Sequence, residues 1–290
     1  MKPSSFEHHA PETVDEATAL LAELGDGAKV LAGGQSLIPM LSLRLAQFEH
    51  LIDVGRIPAL RGVRRDGATV AIGSATVDAD AELDPVVAAG VPLLTAATPF
   101  VGHFQIRSRG TVGGSIAHAD PCAEYPAVAL ALDAELEATS TRGSRTIPAA
   151  EFFQGYWTTA LAPDELLTGV RFPVWDGRCG FAVHEFARRH GDFAVAGAVV
   201  GVELADDRRV TRCAIGLLGL GSTPLRATAA EQAALGQSED LDARALGRLA
   251  TAELDDVPGD LHGPPSYRTR VGAAMVARAF TDAVRRASGG

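Results

Sequence analysis

A glycine-rich stretch at residues 107–121 carries the residue types best suited to binding an anion. It places Gly110, Gly113 and Gly114 within five positions, beside a threonine, a serine, a basic pair and an acid. Because glycine lacks Cβ, its backbone N–H groups can turn toward an anion and approach it closely. The stretch predicts a loop that holds a diphosphate, and a tight turn between two strands is the alternative.

A second glycine segment, LAGGQSL at residues 31–37, lies upstream and favours the diphosphate interpretation. Residues 29–32 before it predict a short buried strand, and residues 37–45 predict a short helix whose N-terminal amides would add to those of the loop. The adjacent glycines do not match the spaced GxGxxG of a dinucleotide-binding fold, and the GK[ST] of a P-loop is absent. Two common nucleotide-binding folds are therefore disfavoured.

Composition narrows the class of protein. The chain has 290 residues, 47% of them hydrophobic, which suits one large or two to three small domains. No run approaches the roughly 18 apolar residues of a membrane span, and the N-terminus lacks the apolar core of a signal peptide. We therefore expect a soluble, cytoplasmic protein without a transmembrane segment. A formal net charge of −10, with no Lys/Arg run, argues against a nucleic-acid partner.

The cysteines and histidines predict no metal site in this chain. Cys122, Cys179 and Cys213 are widely spaced, with no CxxC pair for an iron–sulfur cluster or structural zinc. The histidines show no metal-ligand pattern either, and no residue is required as a general acid or base. We therefore predict neither a metal ligand nor a catalytic residue.

The periodicity of apolar residues predicts an α+β fold in three units, at residues 1–55, 56–176 and 177–290. The first is a small α/β unit that contains the first glycine segment, with strands at 29–32 and 50–54. The second mixes helices with antiparallel strands, and residues 63–67 predict a hairpin turn. In the third, three antiparallel strands at 181–186, 195–204 and 210–220 precede three helices at 227–235, 241–254 and 266–285.

The two glycine segments, their separation and the third unit together resemble the FAD-binding medium subunit of the molybdenum hydroxylases, the carbon monoxide dehydrogenase and xanthine dehydrogenase type. The resemblance covers nearly the whole chain. The motifs that carry it are residues 32–40 (AGGQSLIPM), 105–107 (QIR), 110–115 (GTVGGS), 119–121 (ADP), 165–167 (ELL) and 188–194 (RRHGDFA). It implies that the first two units form a vanillyl-alcohol-oxidase-like (PCMH-type) FAD-binding domain and that the third is the associated C-terminal domain, with a three-stranded antiparallel sheet and a three-helix bundle.

The resemblance also implies a set of cofactor-binding residues around the diphosphate, the ribityl chain and the ring systems of FAD. They are Lys29, Val30, Leu31, Ala32, Gly33, Gly34, Gln35, Ser36, Leu37, Gly110, Thr111, Val112, Gly113, Gly114, Ser115, Ala117, His118, Asp120, Glu124, Leu166, Leu167 and Phe193.

Several of these positions keep an alternative. Asp120 precedes a proline and could instead cap a helix, and Phe193 could be a core aromatic residue rather than a cover for the flavin. Arg107 and Arg109 either neutralise phosphate or lie on a solvated or intersubunit face. Gln35 stands where many relatives carry a histidine that can anchor flavin covalently, so we predict non-covalent FAD.

By the same resemblance, the chain is one subunit of a larger oxidoreductase. Its expected partners are a small [2Fe-2S] subunit and a large molybdopterin-binding subunit, arranged as a dimer of heterotrimers, and an external electron acceptor such as a quinone, NAD or oxygen. Two alternatives stay open. One is a free-standing FAD-dependent reductase of the same cofactor fold, and the other is an assembly subunit without cofactor.

Overall fold

The computed structural model describes residues 2–289, and its first unit is a three-stranded parallel sheet with two helices. The elements are β1 (Glu7–His9), α1 (Val14–Leu24), β2 (Ala28–Leu31), α2 (Leu37–Ser42) and β3 (His50–Asp53). The sheet order is β1-β3-β2, with both pairings parallel. Strand β1 was not predicted, because three polar residues carry no apolar alternation.

The second unit is built on a five-stranded antiparallel sheet with the order β4-β5-β10-β6-β7. Its strands are β4 (Val63–Asp66), β5 (Thr69–Gly73), β6 (Glu135–Ser140), β7 (Gly143–Pro148) and β10 (Leu166–Pro173), with a small hairpin of β8 (Phe153–Gly155) and β9 (Thr158–Thr159). The predicted hairpin turn at residues 63–67 lies mostly later in the chain, because residues 63–66 form β4 and only Gly67 belongs to the turn that joins β4 to β5.

Seven short helices accompany this sheet, and two of them carry residues predicted for the cofactor site. They are α3 (Asp78–Leu83), α4 (Pro85–Gly90), α5 (Pro92–Ala97), α6 (Phe104–Arg107), α7 (Val112–His118), α8 (Glu124–Ala131) and α9 (Ala149–Phe152). Single 3₁₀ turns occur at Gly25–Gly27, Val54–Arg56, Pro58–Leu60 and Thr98–Phe100.

The third unit has a four-stranded antiparallel sheet, where the sequence predicted three strands. Its elements are β11 (Arg178–Phe186), β12 (Ala196–Leu204), β13 (Val210–Leu218), β14 (Leu225–Arg226), α10 (Thr228–Ala234), α11 (Ala243–Ala250) and α12 (Pro265–Ala287). The additional strand, β14, is two residues long and pairs with the end of β13. Two residues are too few to show a period, so the sequence carried no signal for this strand.

Apolar side chains cover both faces of the third sheet. On one face, Val199 and Leu218 join a core shared with helices of the second unit. On the other, Val200 and Ile215 pack against α10, α11 and α12. The approach of α12 is close, since a Cβ built on Gly180 would lie 1.9 Å from the carbonyl oxygen of Ala283. No helix within residues 2–289 is both long and apolar enough to cross a bilayer.

Two carboxyl groups, one buried and one half-buried, lie close together between the second unit and the third. Glu124 begins α8, and the carboxyl of Glu185 on β11 lies beside it. Burial raises the pKa of Glu124 to about 7 and that of Glu185 to about 8, and in Glu185 the neighbouring Glu124 adds to the effect. The folded protein therefore binds protons here at pH values where the unfolded chain has lost them.

This pair predicts that stability decreases as pH rises from about 4.5 to 8, because over that range the folded state holds more protons than the unfolded state. Glu185→Gln removes one of the two ionisable groups. We therefore expect the difference in free energy of unfolding between the variant and the wild type to shift in favour of the variant by roughly 1–3 kcal/mol from pH 5 to pH 8. Urea unfolding at several pH values measures the difference. Glu135→Gln, at an exposed strand position, should parallel the wild type. Parallel curves for Glu185→Gln would contradict the prediction.

Candidate functional site

The two glycine segments lie in direct contact. A Cβ built on Gly33 would fall 2.2 Å from the carbonyl oxygen of Arg109 and 2.7 Å from Cα of Gly110, so only glycine fits at position 33. One helical turn further, a Cβ on Gly114 would meet Cβ of Ala32 at 3.3 Å. The fold thus brings together residues about 80 positions apart in the sequence, on a surface that includes both segments.

The first segment carries a row of backbone donors that have no acceptor. Among the hydrogen bonds of residues 2–289, the amides of residues 33–36 donate to neither a backbone nor a side-chain oxygen. Gly34 has φ +73°, a left-handed conformation that glycine adopts without strain. The Gln35 side chain folds back and donates from Nε2 to the Gly33 carbonyl at 2.9 Å. Because all four residues are half-buried, these amides can bind an anion at the surface.

The second segment differs from the predicted loop, because residues 112–118 are helix α7. The helix begins after Thr111, whose hydroxyl accepts from the Gly114 amide at 3.0 Å. The amides of Val112 and Gly113 donate to the carbonyls of Thr76 and Ser74 at 3.0 and 2.9 Å. The first amides of α7 are therefore already satisfied within the protein. The alternative of a tight turn between two strands was wrong, because the stretch lies between α6 and α8 and contains α7, whereas its part in holding a diphosphate stays a prediction.

Close packing explains the second set of glycines. A Cβ on Gly113 would lie 2.4 Å from Cβ of Ser74, and one on Gly110 would lie 2.2 Å from Oδ2 of Asp78. Helix α7 buries Val112, Gly113 and Ile116, while Gly114, Ser115, Ala117 and His118 remain partly exposed beside the first segment. The glycines of α7 thus set the position of a half-exposed helix face rather than offering free amides.

Polar side chains lie close together at the C-terminal end of α7. Burial lowers the pKa of His118, Asp120 opposes that shift, and the charge of Lys29 on β2 adds to it. Oδ1 of Asp120 accepts from the Cys122 amide at 2.8 Å, and its other oxygen lies 3.4 Å from the indole nitrogen of Trp157. The N-cap alternative for Asp120 was wrong, since α8 begins at Glu124 with Ala123 as its N-cap residue.

A buried acid lies behind the contact between the two segments. Asp78 is only 2% exposed, and burial, with Glu124 as the next cause, raises its pKa to about 8. Its Oδ1 has no hydrogen-bond partner within the described residues. A protonated Asp78 is neutral, so the group next to Gly110 does not add a negative charge at neutral pH. Asp78 and Glu185 were not predicted to be special, since Asp78 is one of several acidic residues in its segment and the burial of both depends on the fold.

Three of the residues predicted to bind the cofactor lie in environments that differ from those of the other predicted residues. Leu166 and Leu167 are buried in two separate apolar cores, so their side chains do not reach an open site. Phe193 is 63% exposed, and its alternative as a core aromatic residue was wrong. Its segment packs on His103, the residue before α6, because a Cβ on Gly191 would lie 2.5 Å from the ring of His103. The remaining predicted residues of the first segment and its strand, Lys29 to Leu37, are exposed or half-buried.

The two arginines of the second segment have separate environments. Arg107 donates from Nε to Glu82 at 3.0 Å and reaches the carbonyl of Gly102 at 3.3 Å, so it is held inside the protein. Arg109 is exposed and forms no ion pair with another described residue. Trp157, which was not among the predicted residues, is exposed, and its backbone amide donates to the carbonyl of Ala119 at 3.3 Å. The adjacent aromatic pair Tyr156-Trp157 was its only signal in the sequence.

Comparison with known families divides the chain into two matched regions. Residues 4–175 match the family described as "FAD binding domain in molybdopterin dehydrogenase". Residues 181–283 match the family described as "CO dehydrogenase flavoprotein C-terminal domain". Together the two families cover nearly all of the chain.

Individual relatives match nearly the whole length of this chain. The 6-hydroxypseudooxynicotine dehydrogenase complex subunit alpha of Paenarthrobacter nicotinovorans is 40% identical, over 99% of this chain and 97% of that protein. The carbon monoxide dehydrogenase medium chain of Hydrogenophaga pseudoflava is 40% identical over 98% of each chain. Caffeine dehydrogenase subunit beta of Pseudomonas sp. is 38% identical, over 99% of this chain and 97% of that protein.

Solved structures agree with these relatives. A carbon monoxide dehydrogenase chain from Hydrogenophaga pseudoflava superposes with a TM-score of 0.95 at 42% identity, covering 99% of both chains. A chain of quinoline 2-oxidoreductase from Pseudomonas putida 86 gives a TM-score of 0.92 at 31% identity, again over 99% of each. The protein therefore belongs to the family of FAD-binding medium subunits of the molybdenum hydroxylases, and it is a subunit of an oxidoreductase.

Proposed function

We propose that this chain is the electron-transfer subunit of a molybdenum hydroxylase complex, which takes electrons from a [2Fe-2S] subunit and passes them to an external acceptor. The observation that carries the proposal is the row of acceptor-free amides at residues 33–36, held against the second segment within the region that matches the FAD-binding family. FAD, when bound, supplies the redox chemistry, and the protein supplies its position and electrostatic environment.

The residues present fit the polar parts of FAD. The amides of residues 33–36 are suited to the diphosphate, because hydrogen bonds to charged oxygens contribute about 1.5–3 kcal/mol each. Ser115 and Asp120 carry oxygen atoms that can bond sugar or ribityl hydroxyls. The ammonium of Lys29 supplies a positive charge close to His118. Leu166 and Leu167 could take part only through their backbone groups, since their side chains are buried.

The division of the chain follows the same function. We propose that residues 1–55 and 56–176 together hold the cofactor and that residues 177–290 form a separate unit that supports the complex. Each of the three larger sheets lies within one of these ranges, which supports the division.

The organic substrate belongs, on this proposal, to another subunit. The three relatives of 38–40% identity are named for carbon monoxide, caffeine and 6-hydroxypseudooxynicotine, which share no common structure. Similar medium subunits can serve such different substrates if the substrate binds elsewhere. Within residues 2–289, the cysteines form no cluster that could hold iron and sulfur, so the [2Fe-2S] centres also fall to partners.

Exposed aromatic residues support a partner at the cofactor face. Phe104 on α6 and Phe193 are both largely exposed, and their segments are joined by the contact of Gly191 with His103. Trp157 is exposed next to Asp120. Large exposed aromatic side chains are typical of surfaces that another protein covers.

The contact of Gly33 with the second segment predicts a strong effect of Gly33→Ala on cofactor binding. An added Cβ must displace the Arg109 carbonyl, which moves the amides of residues 33–36 away from their positions. Loss of one or two charge-assisted hydrogen bonds should weaken FAD binding by roughly 10- to 100-fold. Equilibrium dialysis or flavin fluorescence measures this. Gly27→Ala is the matched control, because a Cβ there meets only ordinary contacts at 3.8 Å or more. Equal affinities for both variants would contradict the proposed site.

Gln35 predicts that the flavin is not covalently attached at this position. An amide side chain cannot form the link that a histidine can, and here it is hydrogen-bonded to Gly33. Precipitation of the flavin-loaded protein with trichloroacetic acid should leave the yellow colour in the supernatant. Colour that stays with the pellet would show the prediction to be wrong.

Purification of the native complex tests the partners and separates the alternatives. We expect affinity-tagged chain to copurify with a small cysteine-rich protein and a large protein, with iron and molybdenum in the same fraction. The size of the complex, measured by light scattering, tests the arrangement as a dimer of heterotrimers. A flavin-containing monomer that turns over alone would support the free-standing reductase, and a flavin-free complex would support the assembly subunit.

A further inference from the structure

Two histidines and a glutamate, none of them predicted to bind the cofactor, lie together on the first sheet. β1 pairs in parallel with β3, with Glu7 opposite His50 and His9 opposite Ile52. Side chains alternate between the faces of a strand, so Glu7 and His9 project to the same side. The register places His50 next to both of them. This trio, which we term the β1–β3 cluster, was not visible in the sequence because His50 lies 41 positions from His9.

The distances in the β1–β3 cluster are close to those of a metal site. Nε2 of His9 lies 3.1 Å from Nδ1 of His50. Of the two Glu7 carboxylate oxygens, Oε2 lies 3.6 Å from the same Nδ1 and Oε1 lies 3.9 Å from Nε2 of His9. Two ligands of a tetrahedral zinc ion, each about 2.0–2.1 Å from the metal, are roughly 3.3 Å apart. The two imidazole nitrogens already have nearly this separation, and a rotation of the exposed Glu7 side chain would bring one carboxylate oxygen onto the same ion.

The donor types select the class of ion. Two imidazole nitrogens and one carboxylate oxygen form a mixed set that suits zinc and related late transition metals, whereas magnesium and calcium prefer oxygen ligands alone. The rings of His9 and His50 are only 19% and 22% exposed, which limits their motion, while Glu7 is 67% exposed and can move to meet an ion. Three protein ligands leave a fourth position open to water or another ligand.

We propose that the β1–β3 cluster binds a divalent late transition-metal ion, with Zn²⁺ as the reference case, through Glu7, His9 and His50. The ion would connect the short edge strand β1 to the central strand β3 and so stabilise the N-terminal end of the chain. This site is independent of the proposed electron-transfer function, because none of its three residues belongs to the cofactor-binding set.

Neighbouring residues provide a matched control. His8 lies between Glu7 and His9, projects to the opposite face of the strand, and pairs with Asp53 at 3.4 Å. It has the same residue type and lies on the same strand, but its side chain is more exposed, at 45%, and it is not part of the cluster. His8→Gln should therefore leave metal binding unchanged.

The test is titration of the full-length, chelator-treated chain with Zn²⁺ by calorimetry, and with Co²⁺ by visible absorption. We expect one site in the wild type and an increase in Tm on adding Zn²⁺, since an ion that binds only the folded state stabilises it. His9→Gln and His50→Gln should each weaken Zn²⁺ binding by roughly tenfold or more, because each removes one of three ligands. His8→Gln should bind as the wild type does.

Because Glu7 is exposed, its substitution tests metal binding without disturbing the fold. Glu7→Gln changes an exposed carboxylate and should not disturb the structure, yet it should also weaken binding and reduce the Zn²⁺-dependent increase in Tm. The proposal is overturned if the wild type binds no Zn²⁺, which would leave the cluster as a hydrogen-bonded group. It is equally overturned if the binding persists in Glu7→Gln, His9→Gln and His50→Gln, because the ion would then be held elsewhere.

Discussion

The close approach of the Gly33 backbone to residues 109 and 110 is the contact on which the candidate site depends. It joins the parallel sheet of the first unit to the second unit, and it leaves space for no side-chain atom at position 33. On one side of the contact, the amides of residues 33–36 remain without acceptors. On the other, α7 is fixed by its bonds to Thr76 and Ser74. Helix α7, held by these hydrogen bonds, thus contacts a segment with free backbone donors, and this arrangement preorganises the candidate anion site.

The same contact shows what the sequence could and could not predict. Two glycine-rich segments were correctly associated with one another, and residues 29–37 were correctly described as a strand, a loop and a helix. The local structure of residues 110–115 could not be predicted, because a glycine that packs against Ser74 has the same sequence signature as one that approaches a ligand. Only the acceptors actually used by the amides distinguish these two roles.

Elements defined by tertiary partners escaped prediction for the same reason. Strands β1 and β14 are short and show no alternation of apolar and polar residues. Each forms by pairing with the edge of a longer neighbouring strand. The burial of Asp78 and the pairing of Glu124 with Glu185 likewise depend on elements that meet only in the folded chain. By contrast, β11, β12 and β13 have long apolar patterns, and the sequence predicted all three.

The protonation of the buried acids affects the electrostatic potential at the candidate site. The protein has a net charge of −10, and FAD carries a negatively charged diphosphate, so ionised carboxylates nearby would oppose its binding. Burial raises the pKa of Asp78 to about 8 and that of Glu124 to about 7, so Asp78 is mostly neutral and Glu124 partly neutral at pH 7. The opposing field is therefore weaker than the composition suggests. On the proposed assignment of the site, the free amides and Lys29 would then dominate locally, and an acidic protein could hold an anionic cofactor without a cluster of arginines.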